Sequence, residues 1–205
     1  NGLRDGRQNT WHETGEKKPL EIYKDDVLIA LPNCEGRNTE KWSGCIGTKK
    51  FDNGDEYVGE FYDGIRNGNG KYTWPDGNVY EGNWVNGYMN GNGKYTWPDG
   101  DVYVGEFKEA KQHGQGDLTT LTGIKYSGDW LYGKQTGSAN VTYKDKSIYS
   151  GNVLDGKRYG FGEIKYSNGT TYIGEWINGL FSGNGHLKMN NGENYEGAFL
   201  YGKRH

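Results

Sequence analysis

The chain has 205 residues, 36 Gly, only four Pro, a formal charge of −3 and a mean hydropathy of −0.99. The charge divides as −1 over residues 1–44 and −2 over 45–205, so neither part carries the basic footprint of a nucleic-acid binder or of a protein held electrostatically on anionic lipid. So low a hydropathy suits a disordered chain, but 17 Tyr, seven Trp and six Phe exclude that reading and point to a thin, distributed aromatic core.

Residues 1–33 contain no apolar run long enough to span a bilayer; the longest, Val27–Leu31, is of strand length. The chain opens at Asn1 without Met or a signal peptide, which reads as a processed or excised segment. Asn1-Gly2-Leu3-Arg4-Asp5-Gly6 and Trp11-x-x-x-Gly15 suggest short strands. Residues 34–56 follow as a degenerate unit, with Cys34-Glu35-Gly36 at one end, then Cys45 where a turn glycine belongs, and Gly47. Two cysteines eleven apart flank what should be a hairpin; they either form a disulfide that closes a short loop or remain two reduced thiols. A bond would favour an oxidising, exported setting, and reduced thiols a cytoplasmic one. Two Cys with no nearby His make a poor metal site.

From residue 57 a period governs the chain. Tyr-x-Gly recurs at Tyr57, Tyr80, Tyr103, Tyr126, Tyr149, Tyr172 and Tyr195, always 23 residues apart, and two positions after each Gly stands Phe61, Trp84, Phe107, Trp130, Val153, Trp176 or Phe199. This alternation predicts a strand with one apolar face. A second alternating run, Tyr72/Trp74, Tyr95/Trp97, Val141/Tyr143 and Ile164/Tyr166, predicts its partner. Glycines such as Gly64, Gly68 and Gly70 read as the hairpin loop, and Trp74-Pro75-Asp76-Gly77 as a type I turn to the next unit. The fold class is therefore all-β: an elongated, single-layer antiparallel meander of hairpins, in which stacking stabilises units too small to stand alone.

The unit Tyr-x-Gly-x-(Trp/Phe)-x-x-Gly-x-x-x-Gly-x-Gly, clear in 57–70 and 80–93, resembles the MORN (membrane occupation and recognition nexus) repeat. Seven copies fill 57–205, the last incomplete. Leu31-Pro32-x-Cys34-x-Gly36 with Trp42-x-x-Cys45-x-Gly47 is similar to the opening segment of bacterial MORN proteins, and residues 1–33 to a degenerate second type of MORN repeat. Ala110 and Ala139 depart from the pattern as replacements for turn glycines, as do Val153 and Thr120, which should bend or loosen the array. The resemblance implies a scaffold, a dimerisation module or a regulatory array beside an enzyme. The lipid binding in the family's name is an association that the acidic balance does not favour.

No catalytic residue, cofactor or metal ligand stands out. His12, His113, His186 and His205 are scattered, and turn acids such as Asp55, Asp76, Asp99 and Asp101 recur too regularly for an acid/base pair. Gly64-x-x-x-Gly68-x-Gly70 lacks the Gly-Lys-Ser/Thr of a phosphate loop. The candidate site is the aromatic face: Trp74, Tyr80, Trp84, Tyr95, Trp97, Tyr103 and Phe107, on the concave side should the sheet curve. The expected occupant is a protein partner or a second copy of the chain; a glycan or lipid headgroup, or an enzyme outside this segment, is the alternative. The last unit ends eleven residues into its period, so Tyr195–Phe199 should offer an open strand edge for pairing.

Overall fold

The computed structural model describes residues 31–205 and the backbones of three short strands before them, β1 (Gly6–Gln8), β2 (Glu21–Lys24) and β3 (Val27–Ile29), which pair antiparallel in chain order. The Trp11–Gly15 motif lies outside the described residues. Fifteen further strands, β4 to β18, follow one another in chain order in an open antiparallel sheet. The chain divides into two compact units, residues 1–95 and 96–205.

In the first unit β4 (Cys45–Lys50), β5 (Glu56–Tyr62), β6 (Ile65–Thr73), β7 (Val79–Val85) and β8 (Tyr88–Thr96) repeat one design. A row of glycines crosses the sheet, Gly47 opposite Gly59, Gly59 opposite Gly70 and Gly70 opposite Gly82. The row exists because the Tyr57 ring lies across it, its hydroxyl donating to the Glu60 carbonyl at 3.0 Å; a Cβ at Gly70 would fall on that ring. Tyr80 repeats the arrangement, donating to Asn83 O at 2.9 Å. Trp84 closes the layer from the next strand, its indole N–H donating to Gly70 O at 3.2 Å and its ring meeting Tyr57 edge-on at 5.4 Å. Edge-to-face pairs of this kind add about 1 kcal/mol each beyond the area they bury.

The reversal within each hairpin is only two residues long. Asp63 and Gly64 take φ of 48° and 71°, the doubly left-handed turn whose twist matches the strands. Gly68 and Gly70, expected in the loop, lie within β6, where the register shifts between Gly59 and Phe61. The shift is a bulge centred on Gly68 (φ 99°), and the Glu60 carboxylate fills it by accepting the Asn69 backbone N–H at 2.7 Å. Between hairpins the expected turn forms: Gly77 N–H donates to Trp74 O at 3.0 Å, and Asp76 Oδ1 accepts the Asn78 N–H at 3.0 Å.

The segment before β4 differs from a hairpin. Pro32–Cys34 runs parallel to β4: Cys34 N–H donates to Ile46 O at 2.8 Å and Ile46 N–H to Pro32 O at 2.9 Å. A parallel pair needs a crossover, here a 3-10 turn (Thr39–Lys41) capped by Asn38, which delivers buried Trp42 over Gly47 and edge-on against Phe61 at 5.0 Å. Cys34 and Cys45 are joined by a disulfide, with Cα atoms 5.0 Å apart.

The second unit holds β9 (Val102–Lys108), β10 (Lys111–Thr119), β11 (Lys125–Leu131), β12 (Lys134–Thr142), β13 (Ile148–Leu154), β14 (Lys157–Lys165), β15 (Thr171–Ile177), β16 (Leu180–Lys188), β17 (Asn194–Leu200) and β18 (Lys203–Arg204). The glycine row continues from Gly105 to Gly197 with one exception. That exception is Ala139, which pairs with Gly128 and Gly151 inside the sheet and not in a turn as the sequence suggested. Ala110 does occupy the turn, at φ 63°.

The C-terminus also departs from expectation. Tyr201 and Gly202 (φ 49° and 80°) form the same two-residue reversal as the other hairpins, and it folds β18 back so that Arg204 opposes Phe199 and Lys203 opposes Leu200. His205 N–H adds a bond to Ala198 O at 3.0 Å. Three residues suffice to cover the edge that the sequence left open from Ala198 to Leu200.

Candidate functional site

The seven aromatic residues singled out in the sequence fall into two groups. In the first unit Tyr80 and Trp84 are 0% and 2% exposed, while Trp74 and Tyr95 are half-buried, with ring centroids 5.6 Å apart. In the second unit Tyr103 and Phe107 are 0% and 3% exposed and pack edge-on at 5.1 Å, while Trp97 is half-buried. The buried members hold the fold together; the half-buried ones can touch something else.

The half-buried tryptophans share a position, the residue just after the second strand of a hairpin, where the inter-hairpin turn begins. Phe51, Tyr143 and Tyr166 occupy it too, and all three are half-buried. The list drawn from the sequence ended at Phe107 and missed them, although the 23-residue spacing 51, 74, 97, 143, 166 carries the signal. They form an aromatic seam along the outer margin of the core face within each unit.

Two arginines on the core face were also missed. Arg66 stands over the rings of Tyr72 at 4.7 Å and Trp84 at 4.6 Å and donates to Gly87 O at 2.9 Å. The Tyr72 hydroxyl donates to the buried carboxylate of Asp55. Burial raises the Tyr72 pKa, as do the hydrogen bond and charge of Asp55, and Arg66 offsets part of the rise. In the second unit Arg158 stands 4.3 Å from the Trp176 ring and 5.8 Å from Tyr143, and donates to Gly179 O at 2.9 Å. Beside it opens a groove of about 360 Å³ walled by Tyr143, Asp145, Ser147, Arg158, Ile164 and Tyr166. A second hollow of about 250 Å³ lies between Ile177, Leu180, Phe181, Leu200 and Tyr201 at the hairpin tips.

Among the described residues no group of three or more His, Cys, Asp or Glu could hold a metal ion, and no helix is long and apolar enough to cross a membrane. Asp76 and Asp99 bond within their own turns, as in Asp99 Oδ1 accepting the Asp101 N–H at 3.1 Å, while Asp101 Oδ1 accepts the Leu121 N–H of the next turn at 2.9 Å. His113 faces the Tyr132 ring at 5.0 Å.

A comparison with curated proteins finds no match. Among solved structures the chain is similar to the TCP domain of Drosophila melanogaster SAS-4 (dCPAP) in complex with a proline-rich motif of Ana2 (dSTIL). The identity is 13%, covering 94% of this chain and 90% of that one, with a TM-score of 0.46. It is similar also to the TCP10 domain of Danio rerio CPAP, at 11% identity over 96% and 91% of the two chains and a TM-score of 0.32. The MORN repeat family model matches residues 57–79, 80–102, 103–120, 126–148, 149–171, 172–193 and 195–205. Each matched unit begins at or beside a tyrosine that lies across the glycine row, and with these matches spanning most of its length the chain belongs to the MORN repeat family.

Proposed function

We propose that this chain is a non-catalytic scaffold and that the aromatic seam within each unit docks an extended segment of a protein partner. One observation carries the reading: Phe51, Trp74, Trp97, Tyr143 and Tyr166 stay only partly buried at one repeat position while Tyr57, Tyr80, Tyr103, Tyr149 and Tyr172 are 0% exposed at another. These five tyrosines are buried, and the other row stays partly accessible. Large rings of low side-chain entropy are the residues that dominate protein-binding surfaces. Self-association through the same seam, and glycan or lipid-headgroup binding by rings edged with Asn and Asp, are the competing occupants.

Selection of random twelve-residue peptides on the immobilised chain tests this. Peptides retained by the wild type should bind at least about tenfold more weakly to a Trp74→Ser/Trp97→Ser/Tyr143→Ser/Tyr166→Ser variant. Selected peptides indifferent to that variant, or a glycan array that binds where peptides do not, would refute the reading.

A further inference from the structure

The groove beside Arg158 is explained by the repeat itself. Four periods separate it from the Arg66 site, so each residue has a counterpart: Arg158 for Arg66, Trp176 for Trp84, Tyr143 for Phe51 and Tyr166 for Trp74. Both arginines donate to the equivalent glycine carbonyl, Gly87 O and Gly179 O, at 2.9 Å, and both lie on the equivalent indole, at 4.6 and 4.3 Å. Tyr143 and Tyr166 keep an aromatic ring at their positions, and Asp145 stands where the first site has Asn53, but two further counterparts change the character of the site. Where the first site has Tyr72 the second has Ile164, and where it has Asp55 the second has Ser147.

Those two substitutions remove the aromatic ring that Arg66 covers and the carboxylate that the ring's hydroxyl reaches. Ser147 and Ile164 wall the groove that results, together with Lys144 and Asp145, whose carboxylate is taken up by the Ser147 N–H at 2.9 Å and the Ser147 hydroxyl at 2.8 Å. Arg158 keeps its aromatic neighbours and, like Arg66, is in no ion pair among the described residues; what it lacks is the tyrosine ring with its bound carboxylate. A guanidinium held on aromatic faces at the side of an apolar groove attracts an anion, and a charge-assisted bond there is stronger than one in open water.

We propose that the groove receives an aromatic side chain from an extended segment of a protein partner, together with a carboxylate two residues away, so that the partner supplies beside Arg158 what Tyr72 and Asp55 supply beside Arg66. Residues i and i+2 of an extended chain point to the same side, which lets one short segment present both groups. The inference rests on the docking role proposed above and adds the chemistry of the docked segment.

The test is an NMR titration of the whole 15N-labelled chain with the capped peptide Ser-Tyr-Ser-Asp-Ser and with versions carrying Ala for Tyr or Asn for Asp. The first peptide should shift the Trp176 indole N–H and the backbone of Tyr143 and Arg158, and each altered peptide should bind at least about fivefold more weakly. A Ser147→Asp/Ile164→Tyr variant, which fills the groove from within, should lose the Trp176 shift. Should that variant fail to fold, Arg158→Gln serves in its place and should bind the Asp and Asn peptides equally. Equal shifts from all three peptides, none from any, or undiminished binding to the filled variant would overturn the proposal. Display-selected peptides that need the seam but lack an aromatic–acid pair would sink this inference and leave the docking role standing.

Discussion

Tyr57 and Tyr149 occupy the same place in two repeats, and both are 0% exposed, yet their surroundings differ. Tyr57 is enclosed by Phe61 at 5.1 Å, Trp84 at 5.4 Å and Tyr72 at 6.4 Å. Tyr149 keeps the tryptophan, Trp176 at 5.5 Å, but has Val153 and Ile164 where the other two rings would be. The two repeats therefore share one part, a tyrosine across a glycine pair with an indole from the next hairpin. They also have a variable part, in which a lost ring becomes a groove without loss of the sheet.

The largest effect should separate these two parts. Phe61→Ala removes a ring that is 1% exposed and should cost about 4 kcal/mol, whereas Val153→Ala should cost about 2 kcal/mol. Urea unfolding followed by tryptophan fluorescence measures both, and equal losses would mean that the core of the second repeat is as closely packed as the first. The glycine row, by contrast, should behave alike in the two repeats. Gly70→Ala and Gly162→Ala each place a Cβ on the ring of a buried tyrosine and should each cost about 3 kcal/mol.

Alkaline titration tests the buried tyrosines together. Burial pushes the Tyr149 hydroxyl up to about 12 from 10 and shifts Tyr57, Tyr103 and Tyr126 the same way. The folded chain then keeps protons that the unfolded chain releases, so stability should be intact below pH 10 and fall as pH rises toward 12. Tyrosinate absorbance at 295 nm that equals the unfolded chain's at pH 10 with the chain still folded would contradict the burial of these hydroxyls.

The turns supply smaller effects of opposite sign. Ala110 and Lys146 hold φ of 63° and 68°, where most repeats place glycine. Ala110→Gly and Lys146→Gly should each stabilise the chain by about 1 kcal/mol through relief of left-handed strain, read as a rise in the urea midpoint.

Much of this was legible in the sequence. The 23-residue period fixes the strands, and Tyr-x-Gly with an aromatic two residues on identifies the core, because alternation leaves only one face for those side chains. The bulge was not legible: Gly68 and Gly64 look alike in sequence, and only the register shift at Glu60 shows that one bends a strand while the other turns the chain. Nor was the parallel course of Pro32–Cys34, since two cysteines eleven residues apart suit a hairpin as well as a crossover. For the candidate site, type alone could not separate Trp84 from Trp74, because exposure depends on where in the repeat a ring stands. Arg158 becomes conspicuous only when laid against Arg66, four periods earlier.

The most direct test of the account is the stability of the Ser147→Asp/Ile164→Tyr variant beside the wild type. If the groove is the place of an absent ring and its carboxylate, the variant completes the pattern of Tyr72 and Asp55, and the added burial should raise unfolding stability by about 1 kcal/mol. A loss of similar size would mean that the space beside Arg158 is already filled by the chain's own packing, and the distinction between the two repeats would fail.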